Sequence, residues 1–94
     1  MAFSILNTTR FERDFEKLVA KSREVLDYAQ QARSILCTDP YNVSRQHKIK
    51  KLTGIPMGEG QWRLRIGKYR IRYDINGRAV ELLSIKLRKD AYRK

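Results

Sequence analysis

The 94-residue chain predicts an α+β fold: an N-terminal strand, a two-helix hairpin, then a three-stranded antiparallel sheet. Three observations lead there. Apolar residues fall at every second position over Trp62, Leu64 and Ile66, and again over Tyr69, Ile71, Tyr73 and Ile75. Gly67-Lys68 between the two runs is a two-residue connection of the kind that closes a tight hairpin. Upstream of it, two apolar stripes recur at the helical spacing instead.

In chain order, Phe3 to Thr8 reads as a short strand. Thr9 followed by Glu12 has the spacing of a capping box, and Phe11, Phe15, Leu18 and Val19 then share a helical face, which predicts a first helix over Arg10 to Lys21. Ser22 is the expected cap of a second helix with Val25, Ala29, Ala32 and Leu36 as its stripe, and Asp39-Pro40 ends it. Pro40 to Gly60 is a long connection carrying the basic run RQHKIKKL, and connections of that length are often functional. After the central hairpin, Asn76-Gly77 signals a second tight turn, into a strand from Arg78 to about Ile85. A two-residue turn there sets Ile71 against Leu82, Tyr73 against Val80 and Arg72 against Glu81, with Leu83 and Ile85 on the arginine side; a bulge at the turn would reverse those facings.

The register of the first hairpin is fixed by its turn: Ile66 faces Tyr69, Arg65 faces Arg70, Leu64 faces Ile71 and Arg63 faces Arg72. One face is then apolar, and the helices are expected to cover it at Trp62, Leu64, Ile71 and Tyr73. The other face sets Arg63 and Arg65 against Arg72 and Arg70 and is expected to stay open. Like charges directly opposed cost roughly 0.2–1 kcal/mol per pair, so the arrangement makes sense if an anion sits among them, and guanidinium binds phosphate bidentately. A basic, solvated face without a ligand is the plainer alternative.

The net charge of +11 is unevenly spread. Residues 44–72 hold nine cations (Arg45, Lys48, Lys50, Lys51, Arg63, Arg65, Lys68, Arg70 and Arg72) against Glu59 alone, a local excess of +8 that points to a polyanionic partner. The length suits a single domain over residues 1–94. The lone Cys37 has no partner for an internal disulfide, no apolar run suits a membrane span, and the start of the chain lacks a signal-peptide layout, so a cytoplasmic protein is expected. His47 has no second ligand at metal spacing, so neither a metal nor another cofactor is expected.

The runs KKLTG (Lys50–Gly54), WRLRIGKYRIRYDI and RKDAYR (Arg88–Arg93) resemble the RelE/ParE superfamily of bacterial toxin–antitoxin toxins, in order and spacing over nearly the whole chain. The pattern W-R-x-R-x-G-x-Y-R-x-x-Y is similar to the RelE branch in particular. That resemblance implies a microbial-RNase-type fold and a ribosome-dependent endoribonuclease that cuts mRNA and so inhibits translation. It also implies an acidic antitoxin partner and a toxin–antitoxin hetero-oligomer, with ribosome and mRNA as the other partners. The family's functional positions would fall on Arg63, Arg65 and Arg70, on Lys86 or Arg88, and on Tyr92, while Lys48, Lys50, Lys51, Lys68 and Arg72 would supply further RNA contacts.

The implied reaction is attack of a 2′-hydroxyl on the adjacent phosphate, which needs a proton acceptor, a proton donor and cations around the developing charge. Studied members of the branch carry lysines where this chain has Arg63 and Arg65, and arginine stays protonated, so the acceptor is not assigned by the resemblance. Two other readings stand beside this one: a ParE-like toxin that binds DNA gyrase without catalysis, and a basic RNA-binding module.

Overall fold

The computed structural model describes residues 2–88. Its elements are β1 (Ser4–Asn7), α1 (Thr9–Lys21), α2 (Glu24–Thr38), β2 (Ile49–Lys51), β3 (Trp62–Ile66), β4 (Tyr69–Asn76) and β5 (Ala79–Leu87). The strands form one sheet in the order β1-β5-β4-β3-β2. β1 lies parallel to β5, and the other pairs are antiparallel. The α+β class and the order of helices and hairpins agree with the sequence reading, but the sheet has five strands. The additional strand, β2, lies inside the basic run and shows no alternation of its own; pairing with the edge of β3 creates it.

Both helix boundaries differ in instructive ways. Thr8, not Thr9, caps α1: its Oγ1 accepts the Phe11 N–H at 3.1 Å and itself donates to the Leu82 carbonyl at 2.8 Å. Adjacent threonines have equal capping propensity, so the bond to β5 decides between them. Ser22 does not cap α2. It closes α1, with its N–H on the Leu18 carbonyl, and α2 starts at Glu24 with Arg23 at its N-cap position making no side-chain cap bond.

The β3–β4 register is the expected one throughout: Arg63 opposes Arg72, Leu64 opposes Ile71, Arg65 opposes Arg70 and Ile66 opposes Tyr69. The β4–β5 register is not. The turn centres on Gly77-Arg78, with Gly77 at φ +62°, so Asn76 pairs with Ala79, Ile75 with Val80 and Tyr73 with Leu82. A bulge then intervenes, and Arg72 pairs with Ser84 and Ile71 with Ile85. The extra residue puts both Leu82 and Ile85 on the apolar face, while Leu83 lies beside Arg72 and Gly60 on the other. Ile85 was expected on the arginine side; the bulge moves it into the core.

That core joins Phe11, Val25, Ala32 and Leu36 of the helices to Leu64, Ile71, Tyr73, Val80, Leu82 and Ile85 of the sheet. Trp62 is only half-buried, set between the rings of Tyr41 (5.4 Å) and Tyr73 (6.4 Å) at the rim. The Tyr73 hydroxyl donates to the Pro40 carbonyl at 2.8 Å, and burial pushes its pKa far above the phenol range. Cys37 is half-buried at the end of α2. Among the described residues, no helix is long and apolar enough to cross a membrane.

Candidate anion-binding cleft

Because β1 pairs only with Ala79–Leu82, the second half of β5 has a free edge, and α1 lies along it. Asp14 makes the attachment: Oδ2 accepts the Ile85 N–H at 3.3 Å and Oδ1 accepts the Lys86 ammonium at 3.2 Å. The sheet's arginine face therefore has a helix as one wall. Register places basic side chains across it in two rows. Lys50, Arg63 and Arg72 lead to Ser84 in one, and Arg65, Arg70 and Lys86 follow one another in the other. Lys48, whose carbonyl accepts the Arg65 N–H, precedes that second row.

A cleft of about 290 Å³ opens over these rows, lined by Arg63, Arg70, Arg72 and Lys86, with Arg10 of α1, Leu52 and Ser84 completing the lining. Five cations and no carboxylate line it among the described residues. Arg70 is 7% exposed, so its charge is held in a partly dehydrated setting where an anion is attracted more strongly than in water.

The expected site residues separate on the structure. Arg63, Arg70, Arg72 and Lys86 come together at the cleft. Arg65 is half-buried on the same face, and among the described residues its Nε has no hydrogen-bond partner. Arg88 sits beyond the end of β5, its backbone N–H on the Lys68 carbonyl, and does not line the cleft. Of Lys86 and Arg88, Lys86 is the one that does. Tyr92 lies outside the described residues. Lys48 and Lys50 are exposed along the arginine side. Lys51 is turned to the opposite face, 5.6 Å from the Trp62 ring centroid, and Lys68 pairs with Glu24 at the start of α2. That partner's hydrogen bond raises the Lys68 pKa and lowers that of Glu24.

One end of the arginine face is not open as expected. Asp74, fully buried, accepts the N–H groups of Gly58 (2.8 Å), Gly60 (3.3 Å) and Gln61 (2.9 Å) and so draws the 55–61 loop across the sheet. Arg72 then donates to the Gly60 and Glu59 carbonyls, both at 2.9 Å, so its guanidinium braces the loop beside the cleft. Asp74, Arg10 and Asp14 are the residues sequence reasoning missed. Asp74 was legible in part, as a carboxylate at the arginine-face parity of β4 facing a segment with three glycines; nothing in the sequence signals the other two. His47, expected to be solvated, is half-buried with Nε2 3.8 Å from Asp39. No group of three or more His, Cys, Asp or Glu side chains among the described residues is placed to hold a metal ion.

The sequence profile of ParE toxins of type II toxin–antitoxin systems, parDE, matches residues 5–92. The chain belongs to this family. The toxin is also similar in structure to a chain of the toxin–antitoxin complex RelBE2 from Mycobacterium tuberculosis, with TM-score 0.72 and 23% identity over 94% of this chain and 100% of that one. A chain of the archaeal RelE–RelB complex from Pyrococcus horikoshii OT3 gives TM-score 0.62 and 25% identity, over 94% and 97% of the two chains. A chain of the RelB–RelE complex from Methanococcus jannaschii gives 0.61 and 22%, over 93% and 94%. No curated protein matches the toxin by sequence. Together these place it in the RelE/ParE superfamily with the fold of the RelE toxin structures.

Proposed function

We propose that the toxin is a ribosome-dependent mRNA endoribonuclease, and the single observation that carries this is the cleft that brings Arg63, Arg70 and Lys86 together. Such a site suits a phosphodiester whose charge grows during reaction. The 2′ oxygen bonds to phosphorus as the P–O5′ bond breaks; the 2′ proton passes to an acceptor and the 5′ oxygen gains one. The products are a 2′,3′-cyclic phosphate and a 5′-hydroxyl. Arg63 and Arg70 stabilise the phosphorane oxygens, and Lys86 supplies the proton or a further charge. Among the described residues no carboxylate or histidine lines the cleft, and the rate is expected to depend on substrate geometry that the ribosome imposes on the mRNA.

Control by an acidic antitoxin belongs to the same proposal. Solved structures similar to this one are toxin–antitoxin complexes, and the excess of +8 in residues 44–72 suits an acidic cover. A second reading, gyrase inhibition without catalysis, is favoured by the match to the ParE profile.

The test runs mRNA cleavage on programmed ribosomes beside a gyrase supercoiling assay. The purified toxin should cut on ribosomes and barely touch free RNA, and Arg70→Ala should lose about 10²–10³-fold in rate, the usual loss for one electrostatic stabiliser of a transition state. Inhibited supercoiling with intact mRNA would replace this reading by the second.

A further inference from the structure

We infer that Arg10 is a substrate-binding residue that holds a phosphate of single-stranded RNA from the helix side of the cleft. The assignment rests on the RNA-cleaving reading above and adds to it a residue outside the hairpin and the tail. Arg10 lies in the first turn of α1, on the wall of the cleft that faces Leu52 and Arg63 across the floor made by Arg70 and Lys86. It enters no hydrogen bond or ion pair among the described residues, so its charge is uncommitted where it lines the cleft. Arg72, by contrast, spends its donors on the Glu59 and Gly60 carbonyls, and Lys86 shares its ammonium with Asp14.

The position of Arg10 is built, not incidental. Thr8 ties the start of α1 to the Leu82 carbonyl, and Asp14, one turn after Arg10, bonds both the Ile85 N–H and the Lys86 ammonium. Arg10 therefore stands between two anchors to β5. A cation in the first turn of a helix opposes the macrodipole and costs a few tenths of a kcal/mol, so that position is an unfavourable one for arginine unless something compensates it. A phosphate drawn into the cleft does so, because the helix N-terminus and the guanidinium then attract the same anion. With cations on both walls, a strand in the cleft is gripped on two sides: Arg63 holds it from β3 and Arg10 from α1.

The experiment measures binding without chemistry, by fluorescence anisotropy of a short 2′-O-methyl oligoribonucleotide, whose blocked 2′ oxygens prevent cleavage. Wild type, Arg10→Ala, Arg10→Lys and Arg13→Ala are compared over a range of salt. Arg13, exposed on the same helix and outside the cleft lining, controls for loss of one charge. Arg10→Ala should bind about tenfold more weakly, as expected for loss of a hydrogen bond to a charged group. Its slope of log affinity against log salt should fall by about 0.7, the value of one phosphate contact on a single strand. Arg10→Lys should keep the slope and recover part of the affinity, because a point charge replaces the fork. Binding by Arg10→Ala equal to wild type, or weakened no more than by Arg13→Ala, would overturn the assignment and leave the cleft's function standing. A wild-type chain that does not bind the oligonucleotide would also overturn the assignment, while cleavage on programmed ribosomes decides the cleft's function separately.

Discussion

Asp74→Asn changes one charge and one acceptor at nearly constant volume, and so isolates what the buried carboxylate does for the 55–61 loop. Oδ2 now accepts two N–H groups, from Gly58 and Gly60, and Oδ1 accepts the third, from Gln61. An amide has a single acceptor oxygen. Set in the place of Oδ2 it keeps two bonds and turns its NH2 on the Gln61 N–H; set in the place of Oδ1 it keeps one and confronts two donors. The first arrangement still loses one charge-assisted bond, about 1.5–3 kcal/mol, and roughly halves the strength of the two that remain. Relief from burying a charge offsets part of this, leaving a destabilisation of about 2–4 kcal/mol. In a domain of this size that lowers Tm by roughly 8–30 °C. The assay is thermal unfolding of both chains, followed by amide exchange. Gly58 and Gly60 should exchange faster in the variant, and Arg72, which braces on the Glu59 and Gly60 carbonyls, should lose its fixed position. An unchanged Tm with unchanged exchange at those two amides would refute the reasoning.

The other predictions concern the hairpins and the long loop. Gly67 holds φ +56°, and a Cβ there would overlap the Tyr28 ring, so Gly67→Ala should destabilise markedly in a denaturant titration whereas Gly54→Ala, strained in backbone but open in space, should cost less. Trp62→Ala should cost about 2–3 kcal/mol, below the roughly 3–5 of a fully buried aromatic because the ring is half-exposed at the rim; Arg65→Ala should be neutral or stabilising, since it removes a charge opposed to Arg70. Parallel thermal melts would separate the two, and equal losses would contradict the assignment of faces. The Asp39 carboxyl is held below its ordinary pKa, chiefly by the Ser44 hydroxyl, against a smaller opposing push from desolvation, and with further help from the N–H groups of Val43 and Ser44. Its stabilising contribution is therefore present above the usual carboxylate range and lost as pH falls through the lowered folded value, so the gap in urea midpoint between wild type and Asp39→Asn should be full at pH 7 and narrow on acidification. A gap that widened toward acid would reverse the sign of that argument.

How much of this was legible in advance differs element by element, for a physical reason. The alternation from Trp62 to Ile75 and the two-residue turn at Gly67-Lys68 are local signals of period two, and a slip of one residue would have exposed the whole apolar set, so the sequence by itself determined that hairpin to the residue, with its opposed Arg63–Arg72 and Arg65–Arg70 pairs. The helical stripes of α1 and α2 were legible for the same reason: burying one face of each is the main source of their stability. Tertiary structure decided the rest. Two threonines could cap α1, and the Leu82 carbonyl chose Thr8. Two turns could join β4 to β5, and packing settled on the one that, with a bulge, buries Ile75, Leu82 and Ile85 together. Three residues of a basic loop became a strand only because β3 had an unpaired edge. The cleft shows the same division. Its floor was written in the hairpin's arginines, but its helix wall and its loop border depend on Asp14 and Asp74 meeting backbone groups 71 and 13–16 positions away. Bonds of that reach have no period in the sequence, because the chain meets them only after the core has closed and brought those groups within a few ångströms.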